Sequence, residues 1–266
     1  MIIYFTGTGN SLYAAKKIGS SIGEKVCHIA DVSAESLAEE KVLGIVFPVY
    51  YYEAPLPVRH FLAEMKLRRD AYVFSVATCG GGSGTSLNTV KKLVEKAGGR
   101  LSLTAVLKMP DNFCIAVGGN PNEQFMLFDT VDRKLKGISA AIKKRMVNLP
   151  YTGLNPLGTV LNIPAVYSAA SKMVRLNIDT EKCIGCGICV KVCPENNIAL
   201  SKGKAVIRGN CCSCFGCVHA CRNQAVRRGK KPTLPEKQYR CQDITLKELF
   251  RRNLKTEREN DECCCS

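Results

Sequence analysis

The feature that most constrains this 266-residue chain is a cysteine spacing that occurs twice. Cys183, Cys186, Cys189 and Cys193 follow C-x2-C-x2-C-x3-C, closed by Pro194, and Cys211, Cys214, Cys217 and Cys221 repeat it. Three thiolates two residues apart wrap a tight loop around one face of an iron–sulfur cubane. The fourth, one helical turn on, points to the neighbouring cluster. The spacing therefore predicts two [4Fe–4S] clusters with crossed ligation. Cys183, Cys186, Cys189 and Cys221 hold one, and Cys211, Cys214, Cys217 and Cys193 the other. Gly185, Gly187 and Gly216 let backbone N–H groups approach the inorganic sulfides. Zinc also uses C-x2-C pairs, but it needs neither the triplet nor a distant fourth cysteine. Arg222 stands where a proline would close the second run. Cys212 is out of register and reads as a bystander.

The remaining cysteines are Cys27, Cys79, Cys114, Cys241 and the terminal Cys263, Cys264 and Cys265. The first four read as small buried hydrophobes; nothing in the sequence explains the last three. Such clustering is unlike a secreted disulfide scaffold. The opening MIIYFTGTGN has no basic or apolar leader. The most apolar stretch, 154–174, is broken by Pro156, Asn162, Pro164, Ser171 and Lys172, short of the ~18 residues a membrane span needs. A reducing cytoplasm is the expectation.

The net charge of +15, with the run Arg227-Arg228-Gly229-Lys230-Lys231, raises a nucleic-acid or membrane-surface binder. Two loaded clusters carry about −4 between them, which weakens that reading. Surface lysines would equally dock an acidic redox protein. His28, His60 and His219 are the only histidines, no paired carboxylates form a motif, and no catalytic residue is identified.

Residues 1–150 alternate short apolar strands (2–5, 25–29, 42–47, 71–77, 101–108) with helical stretches (11–22, 55–65, 85–97, 123–147). That pattern predicts βαβ units in a doubly wound α/β parallel sheet. A connector over 151–178 follows, with a short helix expected near 165–175. The cluster segment spans 179–230, and a basic extension and tail span 231–266, with an amphipathic helix expected around 246–254 and disorder from 255. Thr6-Gly7-Thr8-Gly9-Asn10-Ser11 links the first strand to a helix N-terminus, where N–H groups, hydroxyls and the helix dipole suit a phosphate. No Walker lysine and no G-x-G-x-x-G are present, so a monoester phosphate such as that of FMN fits better than ATP or a dinucleotide.

On FTGTGNS (5–11), FPVYYYEAP (47–55), ATCGGGSG (77–84), the double cysteine run and QYRCQDITLKELF (238–250), the chain resembles the flavodoxin–ferredoxin fusion family. The resemblance implies a flavodoxin-like five-stranded parallel sheet in order 2-1-3-4-5 with FMN at the switch point, followed by a small α+β two-cluster ferredoxin-like domain. It implies that Thr6, Thr8, Gly9, Asn10 and Ser11 hold the phosphate. Pro48, Val49, Tyr50 and Tyr51 would flank the isoalloxazine on one side, and Thr78, Cys79, Gly80 and Gly81 on the other. The function it implies is electron transfer between the clusters and FMN for redox protein partners. The alternative is a flavin-free ferredoxin whose first half is a docking scaffold.

Overall fold

The computed structural model describes residues 1–250 except 114, 116–118, 125–126, 149–159, 161–173, 210 and 230. The helix expected near 165–175, Cys114 and the tail from 251 lie outside the described residues.

Alternation along the first strand sets the architecture. In β1 (Ile2–Tyr4) and the residue after it, Ile2 and Tyr4 point to one face, and Ile3 and Phe5 to the other. A strand apolar on both faces can only sit inside a sheet covered twice. β1 pairs in parallel with β2 (Val26–His28) and β3 (Val42–Pro48). β4 (Tyr72–Cys79) and β5 (Leu101–Lys108) continue the sheet in order 2-1-3-4-5, all parallel. Every residue of β4 is buried. Ile2, Tyr4, Val46, Phe74 and Val76 pack under α1 (Asn10–Ile22) and α4 (Leu127–Lys143). Ile3, Phe5, Ile45, Phe47 and Val73 pack under α2 (Leu56–Glu64) and α3 (Ser86–Lys96). Each such buried side chain contributes about 1.5–3 kcal/mol. Gly44 is required where Phe74 crosses it, because a Cβ there would lie 2.4 Å from the ring.

The second unit is small. β6 (Leu176–Ile178) pairs antiparallel with β9 (Val226–Arg228), and β7 (Ile198–Ser201) forms a hairpin with β8 (Lys204–Ile207). Two one-turn helices, α5 (Ile188–Lys191) and α6 (Gly216–Ala220), carry cysteines. Asp179 and Arg227 tie the ends of β6 and β9 through a 2.9 Å ion pair. β6 falls within the stretch read as connector.

Two expected helices differ. The stretch 123–147 is a 3-10 turn at Pro121–Gln124 and then a helix that ends at Lys143. Arg145 turns left-handed (φ 49°), and Asn148 leaves the helix path to exchange hydrogen bonds with the edge strand at Ser102 and Thr104. Over 246–250, the described part of the helix expected at 246–254, there is a single 3-10 turn, Lys247–Leu249. Leu249 is buried there, and Phe250 is already extended.

Candidate metal centre

The two cysteine runs fold into neighbouring loops. Burial first, then the neighbouring Cys221, Cys183 and Cys186, push the Cys189 thiol up to about 11. Burial and Cys214 push Cys193 up to about 11, with Cys211 also beside it. Cys217 is raised by burial, then by Cys214, Cys193, Cys211 and, from the other run, Cys189. The fourth cysteine of each run therefore keeps company with the first three of the other. One cavity is lined by Cys183, Cys186, Cys189 and Cys221 together. Among the described residues no three side chains converge on the point a single ion would need; a cubane carries its thiolates on separate irons, so its ligands stand wider.

Backbone N–H groups address the sulfurs in both quartets. Ala205 donates to Cys183 and Ala225 to Cys221, each at 3.3 Å. Asn197 donates to Cys193 at 3.3 Å and Ser213 to Cys211 at 3.4 Å. Such bonds stabilise negative charge on sulfur and tune the potential. Burial disfavours the thiolate at Cys189, Cys193, Cys211 and Cys217, so binding metal at those positions releases protons.

The left-handed positions repeat as well. Gly185 and Gly187 have φ of 71° and 74°, and their counterparts Ser213 and Phe215 have 58° and 57°. A left-handed phenylalanine is held by packing. Its ring is 2% exposed and meets Phe113 edge-on at 5.5 Å.

The second loop lies on the loop after β1. A Cβ on Gly7 would stand 2.5 Å from the Cys214 carbonyl, and one on Gly216 would stand 2.9 Å from the Gly7 carbonyl. Cys212 is buried in the core of the first unit, which gives the bystander a packing role. Asn112 donates to both Thr8 Oγ1 and the Cys214 carbonyl, each at 3.1 Å. His219 accepts the Tyr239 N–H on Nδ1, which leaves Nε2 to donate to the Asn112 carbonyl at 3.0 Å. Burial holds this ring near a pKa of about 4, so it is neutral.

The expected flavin residues gather at the C-terminal edge of the sheet. Thr6, Thr8, Asn10, Pro48, Val49, Tyr50, Thr78, Cys79 and Gly80 line one cavity with Pro110, Asp111 and Asn112. It is small, with a volume of about 30 Å³. Ser11 lies at its wall, hydroxyl to hydroxyl with Thr78 at 2.8 Å. Gly9 packs against Cys241 and Ile244. Tyr51 turns instead toward Phe113 and the second cysteine loop, near Ser213 and Cys211. Gly81 faces open space. The loop residues are of the types that hold the phosphate of FMN, and in this conformation the cleft beside them is narrow and their side chains are bonded to protein groups.

Sequence reasoning missed Asn112, His219, Tyr239 and Cys241. For Tyr239 and Cys241 the signal lay in QYRCQDITLKELF at 238–250, while the local pattern around Asn112 and His219 carries none.

Residues 176–199 match the model of the 4Fe-4S binding domain family. Ferredoxin-1 of Rhodobacter capsulatus is 45% identical over 55 residues, covering 18% of this chain and 85% of the relative. Ferredoxin-2 of Desulfomicrobium norvegicum is 59% identical over 29 residues, 11% of this chain and 49% of the relative. Solved structures similar to the first half include two-electron reduced Megasphaera elsdenii flavodoxin, at TM-score 0.35 and 26% identity over 42% of this chain and 88% of that one. A flavodoxin from the domain Archaea is similar at TM-score 0.39 and 17% identity, over 54% of this chain and 95% of that one. The assignment of the first unit rests on its strand order, all-parallel 2-1-3-4-5, which is the flavodoxin order. With a ferredoxin segment joined behind a flavodoxin-like sheet, the chain belongs to the flavodoxin–ferredoxin fusion family.

Proposed function

We propose that the chain is an electron carrier with a direction built into it. An outer [4Fe–4S] cluster on Cys183, Cys186, Cys189 and Cys221 takes single electrons from an acidic redox protein. An inner one on Cys211, Cys214, Cys217 and Cys193 passes them to the edge of the flavodoxin-like sheet. The observation that carries this reading is the backbone contact between Gly7 and the Cys214–Gly216 loop, which sets one quartet against the first unit and leaves the other facing out.

The outer side has the features of a docking face. Cys186 is exposed, as Cys211 of the second loop also is, and Ile184 and Leu200, which line the cavity of the first quartet, are exposed by 66% and 48%. Exposed Lys182, Lys202, Arg208 and Arg222 stand in the same segment. A small apolar patch with a cationic rim fits a small acidic carrier, whose encounter it would steer. Flavodoxins, which have this strand order, hold FMN at the switch point, and the Thr-Gly-Thr-Gly-Asn-Ser loop is the feature here that favours it. Thr6, Thr8, Asn10 and Ser11 would then bind its phosphate once the cradle stood open.

The test begins with anaerobic protein, which should hold about eight iron and eight sulfide per chain; zinc without a visible chromophore overturns the reading. Stopped-flow reduction by an acidic one-electron donor then examines the order. Cys186→Ala should slow reduction of the inner cluster about tenfold or more while that cluster remains. An unchanged rate would show that electrons do not enter at the outer site.

A further inference from the structure

We infer that the cradle at the C-terminal edge of the sheet is a socket with two alternative occupants: the protein's own cluster loop and C-terminal strap, as here, or FMN. The inference rests on the flavin reading of the phosphate loop and adds a condition to it, that FMN enters only when the strap lets go.

The strap is the segment Gln238–Leu249, and it is fastened at both ends. At its start the Gln238 amide donates to the carbonyls of Val218 and Cys221, each at 2.7 Å. Near its end Glu248 accepts from Lys16 on α1 at 2.6 Å. Between these points it lies across the loop a phosphate would use. The Tyr239 hydroxyl donates to Asn10 Oδ1 at 2.6 Å, and the Cys241 N–H donates to the Thr8 carbonyl at 2.9 Å. Ile244 and Cys241 crowd Gly9 at the start of α1: a Cβ there would lie 3.1 Å and 3.0 Å from them.

The polar groups of the loop are correspondingly spent on the protein. Thr6 Oγ1 accepts the Gly9 N–H at 3.1 Å, Thr8 Oγ1 accepts from Asn112, and the Asn10 amide donates to the Pro110 carbonyl at 2.9 Å. Ser11 is paired with Thr78. A phosphate dianion arriving here meets the carbonyls of Gly7 and Cys214 in close approach, with no room for a methyl group between the two loops. Gly80 in the second flavin loop packs closely on Asp111, where a Cβ would lie 2.4 Å away. Strap, Asn112 and cluster loop form one connected clasp through His219, so that FMN entry must undo them together.

The test titrates FMN into full-length, cluster-loaded protein under anaerobic conditions, read by quenching of flavin fluorescence, with iron counted on the same samples. The parent should bind FMN weakly. The double variant Tyr239→Phe with Asn112→Ala keeps all eight proposed ligands, frees hydrogen bonds of the clasp, and should bind FMN about tenfold more tightly at unchanged iron content. Parent protein that carries equimolar FMN and loses it in the double variant overturns the inference. So does a double variant with full iron and no gain. If the variant loses iron, hydrogen exchange of the parent decides. Excess FMN should expose the amides of Tyr239 and Cys241, and FMN binding without that exposure overturns the inference. Iron content and donor-driven bleaching on these samples score the relay separately, so either reading can fail without the other.

Discussion

The two cysteine loops share one spacing and differ in what stands between the ligands. Ile184 in the first loop is 66% exposed, while its counterpart Cys212 is 5% exposed. Gly187 in the first corresponds to Phe215 in the second, whose ring is 2% exposed. The ligands and left-handed turns build the same cage twice. The intervening residues decide whether that cage meets solvent or the flavodoxin-like sheet. The reach of a cluster toward its neighbours is thus set by residues that never touch iron.

The largest effects should come from breaking the cages. Cys193 belongs to the first run in sequence but sits with Cys214 and Cys211 in space. Cys193→Ala should therefore cost the inner cluster, lowering iron from about eight to about four per chain. Loss of the outer cluster instead, seen by pairing the variant with Cys186→Ala, would show that the ligation is not crossed. Phe215→Ala comes next. It removes the ring whose packing holds the left-handed turn, at a cost of about 3–5 kcal/mol in chemical denaturation. The outer loop offers no such target, since Gly187 meets its turn without strain. Equal loss of both clusters in Phe215→Ala would show that the two cages do not depend on separate packing.

The cages and the sheet were legible in the sequence because each rests on local rules. Ile2 to Phe5, apolar on both faces, already calls for a doubly covered parallel sheet, and the triplet-plus-one spacing calls for a cubane. The clasp was not legible, because it is made of single long-range bonds between residues of ordinary type. Tyr239 reaches Asn10 across 229 positions and Asn112 reaches Cys214 across 102. Nothing in the local pattern of either partner announces such a pair. The short turn at Lys247–Leu249 was misread for a related reason: its apolar residues serve one tertiary contact rather than a helical stripe.

A smaller effect tests the outward-facing side of the comparison. Lys182→Glu with Lys202→Glu should slow reduction by an acidic donor several-fold at low ionic strength. The difference should fade above about 0.5 M salt, where exposed charges are screened within a few ångströms. Matching reversals on the strap, such as Arg240→Glu, should leave that rate alone if the outer cluster is the entry. Equal slowing by both would place the donor elsewhere.

The smallest effect concerns the last fastening of the strap. The Lys16 ammonium hydrogen-bonded to Glu248, with Thr245 next, holds that carboxyl down to about 2 from its ordinary 4.5. A carboxylate whose folded pKa is depressed stabilises the protein above its unfolded pKa, and that contribution is lost as pH falls toward the folded value. The window here runs from about 4.5 down to about 2. The pair is largely open to water, so screening leaves it worth about 0–1 kcal/mol. Glu248→Gln should therefore lower the urea midpoint slightly at pH 7, and the gap between variant and parent should narrow as pH approaches 3. Raising salt at pH 7 should narrow it too. Protection of the Cys241 amide should fall in the variant, whereas protection in the outer cysteine loop should not. A gap that persists at pH 3 would assign the effect to the Thr245 contacts, which a glutamine keeps only in part, rather than to the charge on Lys16.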